Sequence, residues 1–425
     1  MRSNNVVELS LNELRSKAIF AARIHDIDRC AQLTKSYIQL MSEFQQIITD
    51  AYDVTLQKIT PFYCGALFRW LENSSVSGLN DVTLHLTDAQ KRDIQEKLLE
   101  YRRMANACEV IACRQAAISA VQSLYIPALQ FFVQRLIACS KELALQDAEN
   151  TDHPDLYRAE IFNWLAHSAK YVTEPVDLQN KIHWYRTAAR LYISGGNKTR
   201  HVRCVECLIG LNREQAERDA FEFRYSDPLY AGEIFNLLYR HRAESTDASI
   251  SEWCRWGGYC FTLANEKDRA SYLIYRFVRK NESQAIEDAY NPFLQEQTPW
   301  YCAEIFFVLT RHEPGREIQI PRETLLDWYR CAVYYFAHTD DDACTQKCAI
   351  RFVRFDSSLV QQEWQRLQAN HSPVIQKYSD ALYEALIQHY ASACPNNNGF
   401  FSAAPPPPRS NTEELPENPQ LRQTK

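Results

Sequence analysis

The chain has 425 residues, and its 47 Lys and Arg against 53 Asp and Glu give a formal charge of −6. Affinity for nucleic acid rests largely on neutralising phosphates, so this acidic balance predicts no nucleic-acid partner. Glycine is scarce, with 10 residues, about a third of ordinary usage. Because glycine serves phosphate-binding loops and tight hairpins, its scarcity disfavours Gly-rich nucleotide sites and β-hairpin folds. It favours helices joined by short turns.

The N-terminal residues 1–8 lack the basic-then-apolar pattern of a secretory signal. No uninterrupted apolar stretch approaches the roughly 20 residues that span a bilayer. Most of the 14 cysteines lie inside helical-looking segments, where free Cys acts as a small hydrophobic side chain. We therefore expect a cytoplasmic protein with reduced thiols and no membrane span.

Comparison of the chain with itself reveals a repeat of about 72 residues. Four segments share an opening: TPFYCGALF at 60–68, PDLYRAEIF at 154–162, DPLYAGEIF at 227–235 and TPWYCAEIF at 298–306. The tyrosines of the last three, Tyr157, Tyr230 and Tyr301, lie 73 and 71 residues apart. Tryptophan motifs follow as a second landmark, with Trp184, Trp256 and Trp328 each 72 residues apart. Self-similarity at a fixed period of this length is typical of repeat proteins.

Three of the four openings read as the start of an amphipathic helix, because Thr60, Asp227 and Thr298 each precede a proline, which is an N-cap followed by proline at the first helical position. Four helices in about 72 residues equal two hairpins of about 36 residues, the size of tetratricopeptide-type hairpins. The sequence therefore predicts an all-α fold of tandem helical hairpins stacked as an α-solenoid, with four repeats and a capping helix. The expected boundaries are N-terminal helices at 1–59, repeats at 60–153, 154–226, 227–297 and 298–371, a cap at 372–394, and a disordered Pro-rich tail at 395–425.

The first half also carries scattered motifs of another helical family. They are NELRSKA at 12–18, AY at 51–52, EYR at 100–102, IP at 126–127 and WLA at 164–166. Through these motifs, residues 8 to about 225 resemble the 14-3-3 proteins, which are nine-helix, tetratricopeptide-like adaptors. The resemblance implies phosphoprotein partners and a homodimer formed through the N-terminal helices.

The positions that match the phosphate clamp of that family hold different residues here. They are Asp53, Thr60, Asn163 and Trp164, where the family uses a lysine, an arginine and an Arg-Tyr pair. A phosphate of charge near −2 prefers Arg or Lys, and Asp53 would repel it. The resemblance therefore supports the fold more than phosphopeptide capture at this place.

Recurring arginines offer an alternative basic surface. Arg103, Arg186 and Arg330 follow the Trp or Tyr landmark by two residues, and two copies of the motif Arg-Phe-Val-Arg recur at 276–279 and 351–354. On the concave face of a solenoid, these residues would bind acidic or phosphorylated peptide. The alternative is that they pair with the recurring Glu160, Glu233 and Glu304 or lie along solvated faces. The predicted binding residues are Arg103, Arg186, Arg276, Arg279, Arg330, Arg351 and Arg354.

Three further segments carry residue types that serve other chemistry. His201, Cys204 and Cys207 share one broad helix face as metal-capable side chains, but no second CxxC pair exists at zinc-module spacing. The acidic run 340–342 beside His338 would suit a divalent cation or an N-cap. Residues 194–199 lack the GxxxxGK[ST] spacing of a phosphate loop. We therefore predict buried cysteines and a cap, with no catalytic residue, cofactor or metal.

The favoured function is a protein-interaction adaptor or scaffold that binds protein or peptide partners, phosphorylated or otherwise acidic, on a concave helical surface. Two alternatives stay open. One is a secreted bacterial effector that acts on proteins inside a host cell, for which the acidic segment 413–417 would serve in secretion. The other is an enzyme whose site is assembled from several helices.

Overall fold

The computed structural model describes residues 10–40, 44–82, 87–167, 177–243, 245–311, 320–368 and 372–393. Within these ranges the chain forms 22 α-helices and no β-strand, which confirms the all-α class. The stacking of the hairpins as an α-solenoid stays a prediction. The predicted tail at 395–425 lies outside the described residues. No helix of the described ranges is long and apolar enough to cross a bilayer.

The chain divides into two compact units, residues 1–276 and residues 277–425. The helices that begin in the first unit are α1 Leu11–Arg23, α2 Ile27–Leu40, α3 Phe44–Tyr52, α4 Val54–Ile59, α5 Pro61–Val82, α6 Asp88–Gln122, α7 Ile126–Cys139, α8 Lys141–Glu149, α9 Asp155–His167, α10 Leu178–Ser194, α11 Lys198–Leu211, α12 Arg213–Phe223, α13 Pro228–Arg240, α14 Asp247–Leu263 and α15 Lys267–Lys280. The later helices are α16 Glu282–Ala289, α17 Pro292–Gln297, α18 Pro299–Leu309, α19 Arg322–His338, α20 Asp342–Phe355, α21 Ser357–Leu367 and α22 Pro373–Ala393.

Most helices fall into four types that follow one another in chain order. The A helices are α5, α9, α13, α18 and α22; the B helices are α1, α6, α10, α14 and α19; the C helices are α2, α7, α11, α15 and α20; and the D helices are α3, α8, α12, α16 and α21. Within each unit, an A helix packs along the following B helix, as α5 does with α6 and α18 with α19. C helices also pack against the next A helix, as α7 does with α9 and α20 with α22.

Every turn from a B helix to a C helix has the same backbone form. Its second residue has a left-handed φ between 53° and 74°, and these residues are His25, Leu124, Gly196, Asn265 and Asp340. In all five turns the next N–H bonds to a carbonyl five residues back, for example from Asn197 to Tyr192 at 2.8 Å, which is a Schellman ending. Glycine is the usual residue in this conformation, yet it holds one of the five positions. The scarcity of glycine is therefore explained in part by the other residues that these turns use.

The turn from a C helix to a D helix is a single extended residue in several copies. Ser140, Asn212 and Asp356 each end one helix and cap the next, with φ between −157° and −159°. Each side chain accepts a hydrogen bond from the backbone N–H three residues on. Ser and Asn or Asp side chains thus stabilise the first turn of the D helix.

The tyrosines of the A-helix openings lie in the core. Tyr63, Tyr157, Tyr230 and Tyr301 are at most 1% exposed. All 13 cysteines of the described ranges are free, and most are buried. Burial raises the pKa of the Cys30 thiol to about 11, so such thiols are protonated and slow to react at neutral pH.

Candidate functional site

An arginine recurs on the B helices, ten residues before each left-handed residue. These arginines are Arg15, Arg114, Arg186, Arg255 and Arg330. Four of them pair with a buried acid of the following D helix: Arg15 with Asp50, Arg114 with Asp147, Arg186 with Asp219 and Arg330 with Glu363. Arg255 lies with its guanidinium 5.1 Å from the centre of the Trp256 ring.

An A-helix tyrosine completes the contact on the other side of the acid. Tyr63 donates to Asp50 at 2.8 Å, Tyr157 to Asp147 at 2.7 Å and Tyr230 to Asp219 at 3.3 Å. Tyr301 donates in the same way to the D-helix acid Asp288, at 3.1 Å. Burial opposes ionisation of Asp50, but hydrogen bonds from Arg15 and Tyr63 outweigh it and hold the pKa of Asp50 below its usual value. These contacts tie B, D and A helices together, so we regard them as structural.

The constant spacing of ten residues between these arginines and the left-handed residues corrects two alignments made from the sequence. The residue two before the arginine is Trp184, Trp253 or Trp328 in three copies, so Trp253 rather than Trp256 is the equivalent of Trp184. In the long helix α6, Arg114 takes the place of Arg186, and Arg103 lies 11 residues earlier on an exposed face. The predicted equivalence of Arg103 with Arg186 is therefore wrong, because the extra residues lengthen the N-terminal part of α6.

The recurring glutamates of the A helices have internal partners. Glu160 accepts hydrogen bonds from the Tyr192 hydroxyl at 2.5 Å and from Trp164 Nε1 at 2.9 Å. Glu233 forms an ion pair with Arg269. The expected pairing of Arg186 and Arg330 with these glutamates is not what the structure has, since both arginines pair with D-helix acids.

The remaining predicted arginines lie on or near C-helix surfaces. The Arg276 guanidinium lies 5.3 Å from the centre of the Tyr272 ring, and Arg279 and Arg354 are exposed. Arg351 is half-buried against Phe307. Both Arg-Phe-Val-Arg motifs begin 11 residues after a left-handed residue, Asn265 or Asp340. The structure thus places the two motifs at equivalent positions of α15 and α20.

In the second unit, three cations surround one buried phenyl ring. The charged groups of Arg351, Arg311 and Lys347 lie 4.6, 4.9 and 5.6 Å from the centre of the Phe307 ring. Phe307 itself is 3% exposed. We call Phe307, Arg311, Lys347 and Arg351 the Phe307 cluster.

Two cations of the cluster, Lys347 and Arg351, lack an acidic partner among the described residues, since no carboxylate there lies within ion-pairing distance of either. Glu304, one turn before Phe307 on α18, is buried. The face of an aromatic ring offsets each cation by about 0.5–1 kcal/mol at exposed sites. The arrangement is therefore suited to an anion.

The segments considered for other chemistry have ordinary structural roles. His201 Nδ1 bonds to the Ala189 carbonyl at 3.0 Å and Cys204 bonds to Asn163 at 3.5 Å. No three His, Cys, Asp or Glu groups of the described ranges are close enough to hold a metal ion. Asp341 caps α20, and residues 195–197 form the turn between α10 and α11.

The positions that match the 14-3-3 phosphate clamp form caps and core contacts. Asp53 caps α4 by accepting from the N–H groups of Thr55 and Leu56. Thr60 is buried and donates to the Leu56 carbonyl at 2.9 Å. Asn163 is buried as well. These side chains therefore supply no cationic site.

Comparison with known families found no family model that matches this chain, and comparison with curated proteins found no significant match. The contacts of the chain itself are thus the basis for a functional proposal.

Proposed function

We propose that the protein is an interaction adaptor or scaffold that binds an acidic or phosphorylated segment of a partner protein at the Phe307 cluster. The observation that carries this proposal is the convergence of Arg311, Lys347 and Arg351 on one ring. Lys347 and Arg351 lie one turn apart on α20 without an acidic partner among the described residues, so a bound anion would offset the repulsion between them.

The chemistry of the cluster suits a protein anion. Guanidinium groups present planar, paired donors that match carboxylate and phosphate oxygens, and Lys347 adds a mobile point charge. Lys347, Arg351 and Arg354 follow one another at spacings of four and three residues on α20, so they share one face. A run of acidic side chains along a partner segment would contact this row in sequence.

Charge reversal tests the proposal. The full chain is immobilised in three forms, wild type, the double variant Lys347→Glu with Arg351→Glu, and Arg103→Glu as a matched surface control. Each is exposed to a lysate of the encoding organism. We expect proteins retained by the wild type and by Arg103→Glu to be lost from the double variant. Identical retention by all three forms would exclude the cluster as the binding site.

A parallel lysate treated with phosphatase separates the two kinds of anion. Loss of the retained partners after this treatment would indicate phosphorylated segments, and unchanged retention would indicate acidic side chains. Homodimer formation through the N-terminal helices and a cytoplasmic location stay predictions from the sequence.

A further inference from the structure

A pocket opens in the first unit among helices α2, α5, α6 and α7. The space between these helices amounts to about 500 Å³ when the solvent at its open mouth is counted. Most of its wall is apolar and includes Ile27, Cys30, Pro61, Phe62 and Ala66. Pockets that hold small ligands are typically apolar with a few placed polar groups.

Two arginines and one glutamate form the polar side of this pocket. Arg69 of α5 and Arg135 of α7 both pair with Glu109 of α6. The glutamate side chain is 8% exposed, against 49% for Arg69 and 32% for Arg135. Two guanidinium groups carry ten N–H donors, and a single carboxylate accepts only some of them. The pocket therefore keeps one net positive charge and spare donors.

Three other A helices, α9, α13 and α18, show what this pocket lacks. Three residues after the A-helix tyrosine stand Glu160, Glu233 and Glu304, all buried, but the equivalent position of α5 is Ala66. Glu233 is balanced by a single arginine, Arg269. In α5 the large side chain is absent, the acid sits on α6 instead, and two arginines face it. This difference from the other A helices accounts for both the free space and the net positive charge of the pocket.

We propose that this pocket binds a small amphiphilic carboxylate, with its carboxylate between Arg69 and Arg135 and a short aliphatic tail against Phe62 and Ala66. A monoanion matches the single net charge, and the apolar wall favours a tail over a second hydrated charge. The proposal concerns the first unit and is independent of the function proposed for the Phe307 cluster.

Calorimetric titration of the full chain tests the site, with octanoate as the probe. Acetate lacks the tail and octylamine reverses the charge, so we expect each to bind at least about tenfold more weakly than octanoate. Saturable binding of octylamine with equal affinity, or no binding of octanoate, would overturn the proposal.

Two variants locate the binding within the pocket. Ala66→Leu fills the apolar end and keeps all three charged groups, and Arg135→Gln removes the net charge. We expect octanoate affinity to fall at least about tenfold in either variant, and Arg103→Gln, on an exposed part of α6, to bind like the wild type. Circular dichroism checks folding, and Ala66→Leu decides the test if Arg135→Gln unfolds. Unchanged affinity in Ala66→Leu would place octanoate elsewhere.

Discussion

Arg186 and Asp219 form a two-point ion pair in which Nε donates to Oδ2 and Nη2 donates to Oδ1, each at 2.6 Å. The Asp219 carboxylate is fully buried and also accepts from Gln215 at 2.8 Å and from the Tyr230 hydroxyl at 3.3 Å. A buried charge is tolerated when it is paired and hydrogen-bonded in this way. The paired donors of Arg186 are therefore engaged in an internal ion pair.

Substitution of Arg186 tests this structural role. Arg186→Gln leaves Asp219 buried without its counter-charge, so we expect the free energy of unfolding to fall by about 2–3 kcal/mol. Urea denaturation measures the change. Adding Asp219→Asn to Arg186→Gln is expected to recover part of the loss, and Arg103→Gln is expected to stay within about 0.5 kcal/mol of wild type. A stable Arg186→Gln protein would show that the pair contributes little.

A buried histidine predicts a loss of stability in mild acid. Burial lowers the pKa of His201, and its Nε2 has no hydrogen-bond partner among the described residues. The unfolded chain, with a pKa of about 6.5, then binds a proton before the folded chain does. The free energy of unfolding that depends on neutral His201 is therefore expected to be fully present above about pH 6.5. It falls as the pH drops below this value, towards the lower pKa of the folded state.

Thermal denaturation between pH 8 and pH 5.5 measures this dependence. His201→Phe is expected to flatten the decline, and His183→Gln, which changes an exposed histidine of α10, is expected to leave it unchanged. An identical decline in His201→Phe would assign the acid sensitivity to other groups.

The left-handed turns predict that glycine is favoured at two equivalent positions, Leu124 and Gly196. Leu124 has φ 53° and a side chain that is 73% exposed, so Leu124→Gly relieves the backbone without loss of packing. We expect it to stabilise the protein by about 0.5–1 kcal/mol, because the left-handed penalty of about 1–2 kcal/mol exceeds the entropy gained by the unfolded chain.

The reverse change at Gly196 is the companion experiment. Its φ is 74° and an added Cβ would meet no atom within 4 Å, so only the backbone conformation resists a side chain. Gly196→Ala is expected to destabilise by about 1 kcal/mol in urea denaturation. Equal stability of both variants and wild type would mean that the turns relax to another conformation.

A close helix contact predicts a further effect of added volume. A Cβ at Gly258 of α14 would lie 2.8 Å from Ile274 Cγ1 and 3.4 Å from the Ile274 backbone nitrogen. Gly258→Ala is therefore expected to destabilise by about 1–3 kcal/mol. Gly210→Ala is the control, since its Cβ meets nothing within 4 Å and alanine favours the helix by about 1 kcal/mol. Urea denaturation distinguishes the two, and a stabilised Gly258→Ala would contradict the expected clash.

The sequence was sufficient for the helical class and for the four tyrosine openings, because proline near the helix start and apolar spacing are local signals. The predicted side-chain caps of two openings did not form, since Asp227 and Thr298 make no capping hydrogen bond. It misplaced Trp256 because two tryptophans three residues apart on α14 both fit a repeat of about 72 residues. The left-handed residues that settle the register are His, Leu, Asn and Asp as well as Gly, so no composition signal marks them.

The candidate site was predicted in part. The motif Arg-Phe-Val-Arg pointed to Arg351 and Arg354, but Phe307, Arg311 and Lys347 were missed. Phe307 belongs to an apolar helix face, and its cations come from α20 and from Arg311, two residues after α18. The contact between these groups depends on how the helices pack, so the spacing of residues along the sequence does not reveal it. The same holds for Arg186, whose partner lies 33 residues away.

The helix connections differ in how much length change they allow. Three residues join each B helix to its C helix, and one residue joins α7 to α8 and α11 to α12, whereas five to twelve residues join A helices to B helices. At Ser140 and Asn212 the backbone N–H ends one helix and the side chain caps the next. An added residue there would separate these two caps and turn the next helix by about 100°. Insertions acquired in evolution, or a peptide tag placed by design, belong in the connections between A and B helices.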